Sequence, residues 1–223
     1  MNVGRNDKTD AATRFFMPPY VVLHDFLDEA TVAGLFDHAL SRECDFRPTR
    51  VGSKAVVDTG IRISANLRDL DVYRPILKSK ILGFLPELIA QLQVTPFEPS
   101  RLDTELVAHG DGAFYKRHID TQTAQYENFD EIRVLSGVYY FFVEPKAFSG
   151  GALRLYAIGG DSEQNFIDIA PERNSLLVFP SWAPHEVMPV HCPSGRFIDS
   201  RFAINCWLHR KKPGAHILPR EVL

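Results

Sequence analysis

Cysteine is scarce in this sequence: Cys44, Cys192 and Cys206 are the only three in 223 residues. Their odd number and the absence of any Cys-x-x-Cys spacing argue against a disulfide framework and against a thiolate zinc site. Reduced thiols of this kind suit the cytoplasm. Positive charge is not in excess either, since 25 Lys and Arg face 28 Asp and Glu for a formal net charge of -3. That balance argues against a nucleic-acid protein driven by a basic surface. No apolar run approaches the ~18 residues that would cross a bilayer, so no membrane partner is expected. The first residues are polar and charged, without the apolar centre of a signal peptide. Repeats, low-complexity tracts and linkers are also lacking. The expectation is one domain over 1–223, comprising a flexible leader over 1–16, a strand with bracing helices over 17–100, and a core over 101–210.

What the chain does have is a change of periodicity near residue 101. Before it, Asp28 is a fitting N-cap for a helix whose stripe is Val32, Leu35, Phe36, Ala39 and Leu40. A second helical stretch over 73–92 presents Ile76, Leu77, Ile81, Leu85, Leu88 and Ile89, with Pro86 expected to interrupt or kink it. Residues 20–23 read as a short strand. After residue 101, segments rich in Val, Ile, Tyr and Phe alternate with glycine turns. Strands are expected over 102–108, 132–143, 151–157, 165–170, 175–179 and 201–209. Gly110-Asp111-Gly112, Gly150-Gly151 and Gly159-Gly160-Asp161 mark turns between them. The fold class is therefore mainly β with flanking α-helices, a sandwich or barrel braced by the N-terminal helices. Lys211-Lys212-Pro213-Gly214 reads as a solvated end.

Three features carry chemistry. In His118-Ile119-Asp120, strand alternation would turn an imidazole and a carboxylate to one face. His185 follows the apolar run Leu176-Leu177-Val178-Phe179 and lies 67 residues beyond His118. Two imidazoles and one carboxylate can occupy one face of an octahedral metal, leaving the other face open, as in non-haem iron(II) oxygenases. In the last strand, Arg201, Ala203, Asn205 and Trp207 alternate with Phe202, Ile204, Cys206 and Leu208. If the first set lines the barrel, Arg201 is a buried guanidinium in need of an anion, and a dicarboxylate would meet that need through a bidentate pair. With the opposite orientation Arg201 would meet solvent or a remote carboxylate.

The order His-x-Asp, Gly-Gly-x-Leu-Arg, His-Glu-Val-x-Pro-Val and Arg-Phe-Ala-Ile-Asn-x-Trp, spread over about residues 102–209, resembles the prolyl 4-hydroxylase-like branch of the iron(II)/2-oxoglutarate oxygenases. The resemblance implies a double-stranded β-helix core of the jelly-roll or cupin type. It implies iron(II) on His118, Asp120 and His185, 2-oxoglutarate as cosubstrate, O2 as oxidant and ascorbate as reductant. It places Arg201 on the distal carboxylate of 2-oxoglutarate. Arg196 stands nearer the family's usual spacing from the second histidine, and is the alternative anchor. Tyr139, in Arg133-Val-Leu-Ser-Gly-Val-Tyr139-Tyr140, matches the strand in which related hydroxylases place a cosubstrate-binding tyrosine. The implied activity is hydroxylation of an unactivated C–H bond. The substrate would be a prolyl residue of a protein or peptide, or a free amino acid or natural-product intermediate. Residues 121–131 are expected to form either a substrate lid or a surface loop. His109, His191 and His209 are read as structural or exposed. Two other classes fit the metal set: a zinc-dependent hydrolase, which would have no use for Arg201, and a non-catalytic jelly roll that binds metal or ligand, which would need neither Asp120 nor Arg201.

Overall fold

In a computed structural model, the described residues are 15–52, 55–121, 130–159 and 164–212. Most of the expected leader, residues 122–129 of the expected lid, Gly160-Asp161 and residues 213–223 lie outside them. Element order is β1 (Val21–Leu23), α1 (Glu29–Ser41), β2 (Arg47–Pro48), β3 (Arg62–Ile63), β4 (Ala65–Leu67) and α2 (Tyr73–Gln91). There follow β5 (Arg101–His109), β6 (Phe114–His118), β7 (Glu131–Phe141), β8 (Ser149–Gly150), β9 (Leu153–Tyr156) and β10 (Phe166–Ile169). The chain closes with β11 (Ser175–Pro180), β12 (His185–Val187), β13 (Val190–His191) and β14 (Arg201–Lys211).

The strands form a seven-stranded sheet in the order β1-β11-β7-β14-β5-β4-β2 and a five-stranded sheet in the order β10-β9-β12-β6-β3. β13 and β8 form a separate two-stranded ladder. Every pairing is antiparallel. The larger sheet is buried on both faces. One face packs under the two helices, where Leu35, Leu77, Ile81 and Leu88 meet Tyr139, Phe141, Phe202 and Ile204. The other faces the smaller sheet across Val138, Tyr140, Phe179, Leu155 and Ala203. This is the double-stranded β-helix that the resemblance implied, with helices on one side.

Helix α1 begins where its cap requires, since the Asp28 carboxylate accepts from Thr31 N at 2.8 Å and so satisfies an otherwise unpaired amide. Helix α2 runs through Pro86 rather than ending there. Leu85 and Leu88, on either side of it, are buried in the core, and their packing offsets the one lost backbone bond. Ile76, expected on the buried side, is exposed, and Leu77 takes the inward position. Lys211 belongs to β14 rather than to a loose end. The short strands β2, β3, β4, β6, β8, β12 and β13 were not expected. Strands of two to five residues carry too little alternation to be read locally and exist because longer partners pair with them.

Candidate metal centre and cavity

The register of the smaller sheet sets His118 opposite His185, which closes the 67-residue separation in sequence. Asp120 arrives differently from expectation. Strand β6 ends at His118, so alternation does not carry the carboxylate. Instead Asp120 N and Thr121 N both donate to Ser181 O at 2.9 Å, in the turn after β11. The result is a cluster in which one nitrogen of each imidazole and one oxygen of Asp120 all lie within 4.8 Å of one another.

The hydrogen bonds around the cluster fit a metal. His118 Nδ1 donates to Lys116 O at 2.8 Å, and His185 Nδ1 donates to Ala183 O at 2.9 Å. With Nδ1 spent on a carbonyl, each ring keeps its lone pair at Nε2, the nitrogen that faces Asp120 at 3.9 and 3.7 Å. Backbone acceptors that fix the tautomer in this way are characteristic of metal-ligating histidines. Burial, with His185 beside it, lowers the His118 pKa to about 3, so the ring is neutral. Burial pushes the Asp120 carboxyl up, but His185, His118, Ser136 and Trp207 more than offset it, and it stays ionised. Ser136 Oγ donates to Asp120 Oδ2 at 2.6 Å and is itself 2.9 Å from Ser181 Oγ. Tyr115 stacks on the His118 ring at 3.6 Å. Two imidazoles with Nε2 turned to one anchored carboxylate are a donor set for a divalent metal with an open face.

The cluster lies in a cavity of about 700 Å³ that Arg201, Asn205 and Trp207 also line. Phe202, Ile204, Cys206 and Leu208 face the helices instead, so β14 adopts the orientation in which Arg201 points inward. Only 1% of Arg201 is exposed. Its Nη1 is 3.2 Å from His109 Nδ1, while Nε and Nη2 have no partner among the described residues. Burial disfavours its charge, relieved only in part by Tyr140. A guanidinium does not give up its proton, so this environment asks for an anion. Gly151 makes room for it. With φ of +67°, it stands where a Cβ would fall 2.6 Å from Arg201 Cδ. Arg196 is elsewhere: it is 70% exposed and bound to Asp199 at 2.8 and 3.1 Å.

Tyr139 does not reach the cavity, which corrects the expectation. It is buried under the helices, and its hydroxyl donates to Asn174 Oδ1 at 3.0 Å. Its neighbour Tyr140 faces the other way, with its buried hydroxyl unpartnered and the Arg201 guanidinium 4.8 Å from its ring. A one-residue displacement on a strand reverses the face. Arg133 complicates the count, because a bulge opposite Leu208/His209 brings it to the cavity wall, on the side from which the Ser136 hydroxyl reaches Asp120. His109, read as structural or exposed, is buried; it lines the cavity and contacts Arg201. Ser136, Tyr140 and Tyr115 are site residues that sequence reasoning missed. The alternation Ser136, Val138, Tyr140 was the available signal. His191 is exposed near Asp111, and His209 is buried 3.1 Å from Asp103.

Residues 104–209 match the family model described as the 2OG-Fe(II) oxygenase superfamily. A protein of Synechocystis named as an uncharacterized PKHD-type hydroxylase is 41% identical over 145 residues, which cover 61% of this chain and 45% of that relative. The chain thus matches less than half the length of that curated relative. Among solved structures, a Pseudomonas putida prolyl-4-hydroxylase superposes with a TM-score of 0.61 at 24% identity, covering 87% of this chain and 94% of its own. A Trichoplax adhaerens prolyl hydroxylase, in complex with a peptide fragment of hypoxia inducible factor, gives 0.65 at 20% identity, covering 86% and 83%. At these identities the two structures establish the fold. No helix among the described residues is long and apolar enough to cross a membrane.

Proposed function

Residues 104–209 belong to the 2OG-Fe(II) oxygenase superfamily, and on that premise we propose that the protein is a 2-oxoglutarate-dependent hydroxylase with iron(II) on His118, Asp120 and His185. Iron(II), 2-oxoglutarate and O2 bound there supply hydroxylation of an unactivated C–H bond, with succinate and carbon dioxide as co-products. The observation that carries this reading is the buried Arg201 with two unpartnered nitrogens in the same cavity as the triad. A zinc hydrolase has no use for such a group.

The chain's own residues divide the work. His118 and His185 turn Nε2 to the metal position because carbonyls engage their Nδ1 atoms. Ser136 and the Ser181 carbonyl hold Asp120 in place. Arg201 takes the distal carboxylate of 2-oxoglutarate as a fork, and the Tyr140 hydroxyl, 140 rather than 139, donates beside it. The buried walls keep water from the reacting centre. The substrate is a prolyl residue of a peptide or protein, or a free amino acid or natural-product intermediate, and ascorbate serves as reductant. Three unpaired thiols among the described residues support a cytoplasmic setting.

The test is succinate formation by anaerobically iron-loaded protein supplied with 2-oxoglutarate and air. Wild type should form succinate and Asp120→Ala should not. Absence of both succinate and a visible iron–2-oxoglutarate band in the wild type would overturn the reading.

A further inference from the structure

Acidic residues outnumber basic ones in the chain as a whole, yet the cavity reverses the balance. Among the described residues six arginines line it, at 50, 62, 68, 74, 133 and 201, against three carboxylates, Asp103, Glu105 and Asp120. An iron(II) ion and a 2-oxoglutarate dianion would cancel each other, so the excess of three positive charges persists in the loaded site. The carboxylates are already engaged. Asp120 belongs to the triad, Asp103 is 3.2 Å from Arg101 and 3.1 Å from His209, and Glu105 accepts from Asn66 and lies 3.7 Å from Arg62.

The arginines are not equivalent. Arg201 is the floor. Arg62 donates to Ser64 at 2.8 Å and lies over the Tyr115 ring, and Arg133 lies over Trp207 at 4.4 Å. Arg50, Arg68 and Arg74 are exposed to solvent and still line the cavity, which puts them at its mouth. They come from three elements: the turn after β2, the residue that follows β4, and the first turn of α2. Arg74 donates to the Arg68 carbonyl at 2.7 Å, which draws these two arms together. Among the described residues no carboxylate is within ion-pair distance of any of the three.

We infer that the mouth formed by Arg50, Arg68 and Arg74 selects a small anionic substrate, whose carboxylate or phosphate group they hold while its reacting carbon enters toward the His118/Asp120/His185 cluster. Guanidinium forks suit both anions. The cavity volume falls within the ~300–1,000 Å³ usual for small ligands, and the cosubstrate takes part of it. The inference rests on the oxygenase reading for the reaction but not for the binding.

Binding is measured by calorimetry on metal-free full-length protein, with inorganic pyrophosphate as the phosphate probe and tricarballylate as the carboxylate probe. At least one should bind, and more weakly at roughly 0.5 M than at roughly 0.05 M salt. The triple Arg→Glu variant at 50, 68 and 74 should lose about tenfold or more in affinity, while the triple Arg→Lys variant keeps most of it. The same loss should be seen when the Arg→Glu changes are made in an Arg201→Ala background, which removes any probe held at the cosubstrate anchor. In iron-loaded protein, phosphorylated or carboxylated small molecules should stimulate succinate formation more than their neutral amides. The Arg→Glu variant should raise their KM and leave 2-oxoglutarate binding, read from the visible band, unchanged. Equal probe binding by wild type and the Arg→Glu variant would overturn the inference, as would preferential stimulation by neutral compounds or by an acidic peptide. Probe binding through the three arginines in a protein that never forms succinate would sustain the anion site and defeat the oxygenase reading instead.

Discussion

Across the β5/β14 register His109 stands opposite Arg201, and the two form a buried pair with no carboxylate between them. Burial, then Arg201 and Arg62, hold His109 well below the ordinary histidine pKa of 6.5. Its unfolded form therefore binds more protons than its folded form below that value. The neutral ring contributes stability above pH 6.5, and this contribution is lost as pH falls toward the folded pKa. The melting temperature of metal-free protein should accordingly fall on acidification from pH 7, and His109→Gln should flatten that fall. An unchanged slope in the variant would remove His109 from the account. The same pair separates the two candidate anchors. Arg201→Ala should raise the 2-oxoglutarate requirement steeply, by about tenfold or more for a lost charge-assisted fork. Arg196→Ala should not, because Arg196 is exposed and pairs with Asp199, away from the cavity. The reverse pattern would move the anchor to Arg196.

At the scale of the element, the turn between β8 and β9 matters more than its length suggests. Gly150 and Gly151 both have positive φ, and at Gly151 a Cβ would also meet Arg201 Cδ and Val190 Cγ2 inside van der Waals contact. Gly195 has a similar φ, +62°, with nothing within 4 Å of its would-be Cβ. Alanine at either position carries a backbone cost of about 1–2 kcal/mol. Only Gly151→Ala should also weaken 2-oxoglutarate binding, by displacing Arg201. Urea denaturation together with a 2-oxoglutarate titration of the two variants separates the effects. Equal titrations would show that Gly151 serves the turn alone. The Gly-Gly motif was legible in the sequence as a turn. Its second role was not, because the contact joins residues 50 positions apart.

The whole molecule divides its labour between the two faces of one sheet. Helices α1 and α2 cover the face that carries Tyr139, Phe141 and Phe202, while the opposite face carries Val138, Arg201 and Trp207 toward the cavity. Stability and chemistry are thus separable. Leu77, fully buried between α2 and the sheet, should cost about 2–5 kcal/mol on truncation to alanine. The folded Leu77→Ala protein should still bind iron with near wild-type affinity, because Leu77 packs in the helix-covered core and does not line the cavity of the triad. A large loss of metal affinity in protein that remains folded would show that the two faces are coupled.

The sequence alone determined a good deal. Period-3.6 stripes marked both helices and the Asp28 cap marked the start of α1, while β-rich segments between turns marked β5 and β7 and alternation marked β14. The split of β14 into a polar and an apolar face was legible because one residue set contained Arg, Asn and Trp and the other only apolar side chains. The residues His118, Asp120, His185 and Arg201 were legible as chemical types in order. Tertiary structure decided the rest. Which tyrosine of the Tyr139-Tyr140 pair faces the cavity depends on a pleat phase and on a bulge near Leu208, and neither leaves a mark on composition. That Asp120 is held by the Ser181 carbonyl, and that His109 meets Arg201, follows from strand register between segments 61 and 92 residues apart. Local propensity acts over a few neighbouring residues. Pairing across a sheet is fixed only when all the strands close on one core.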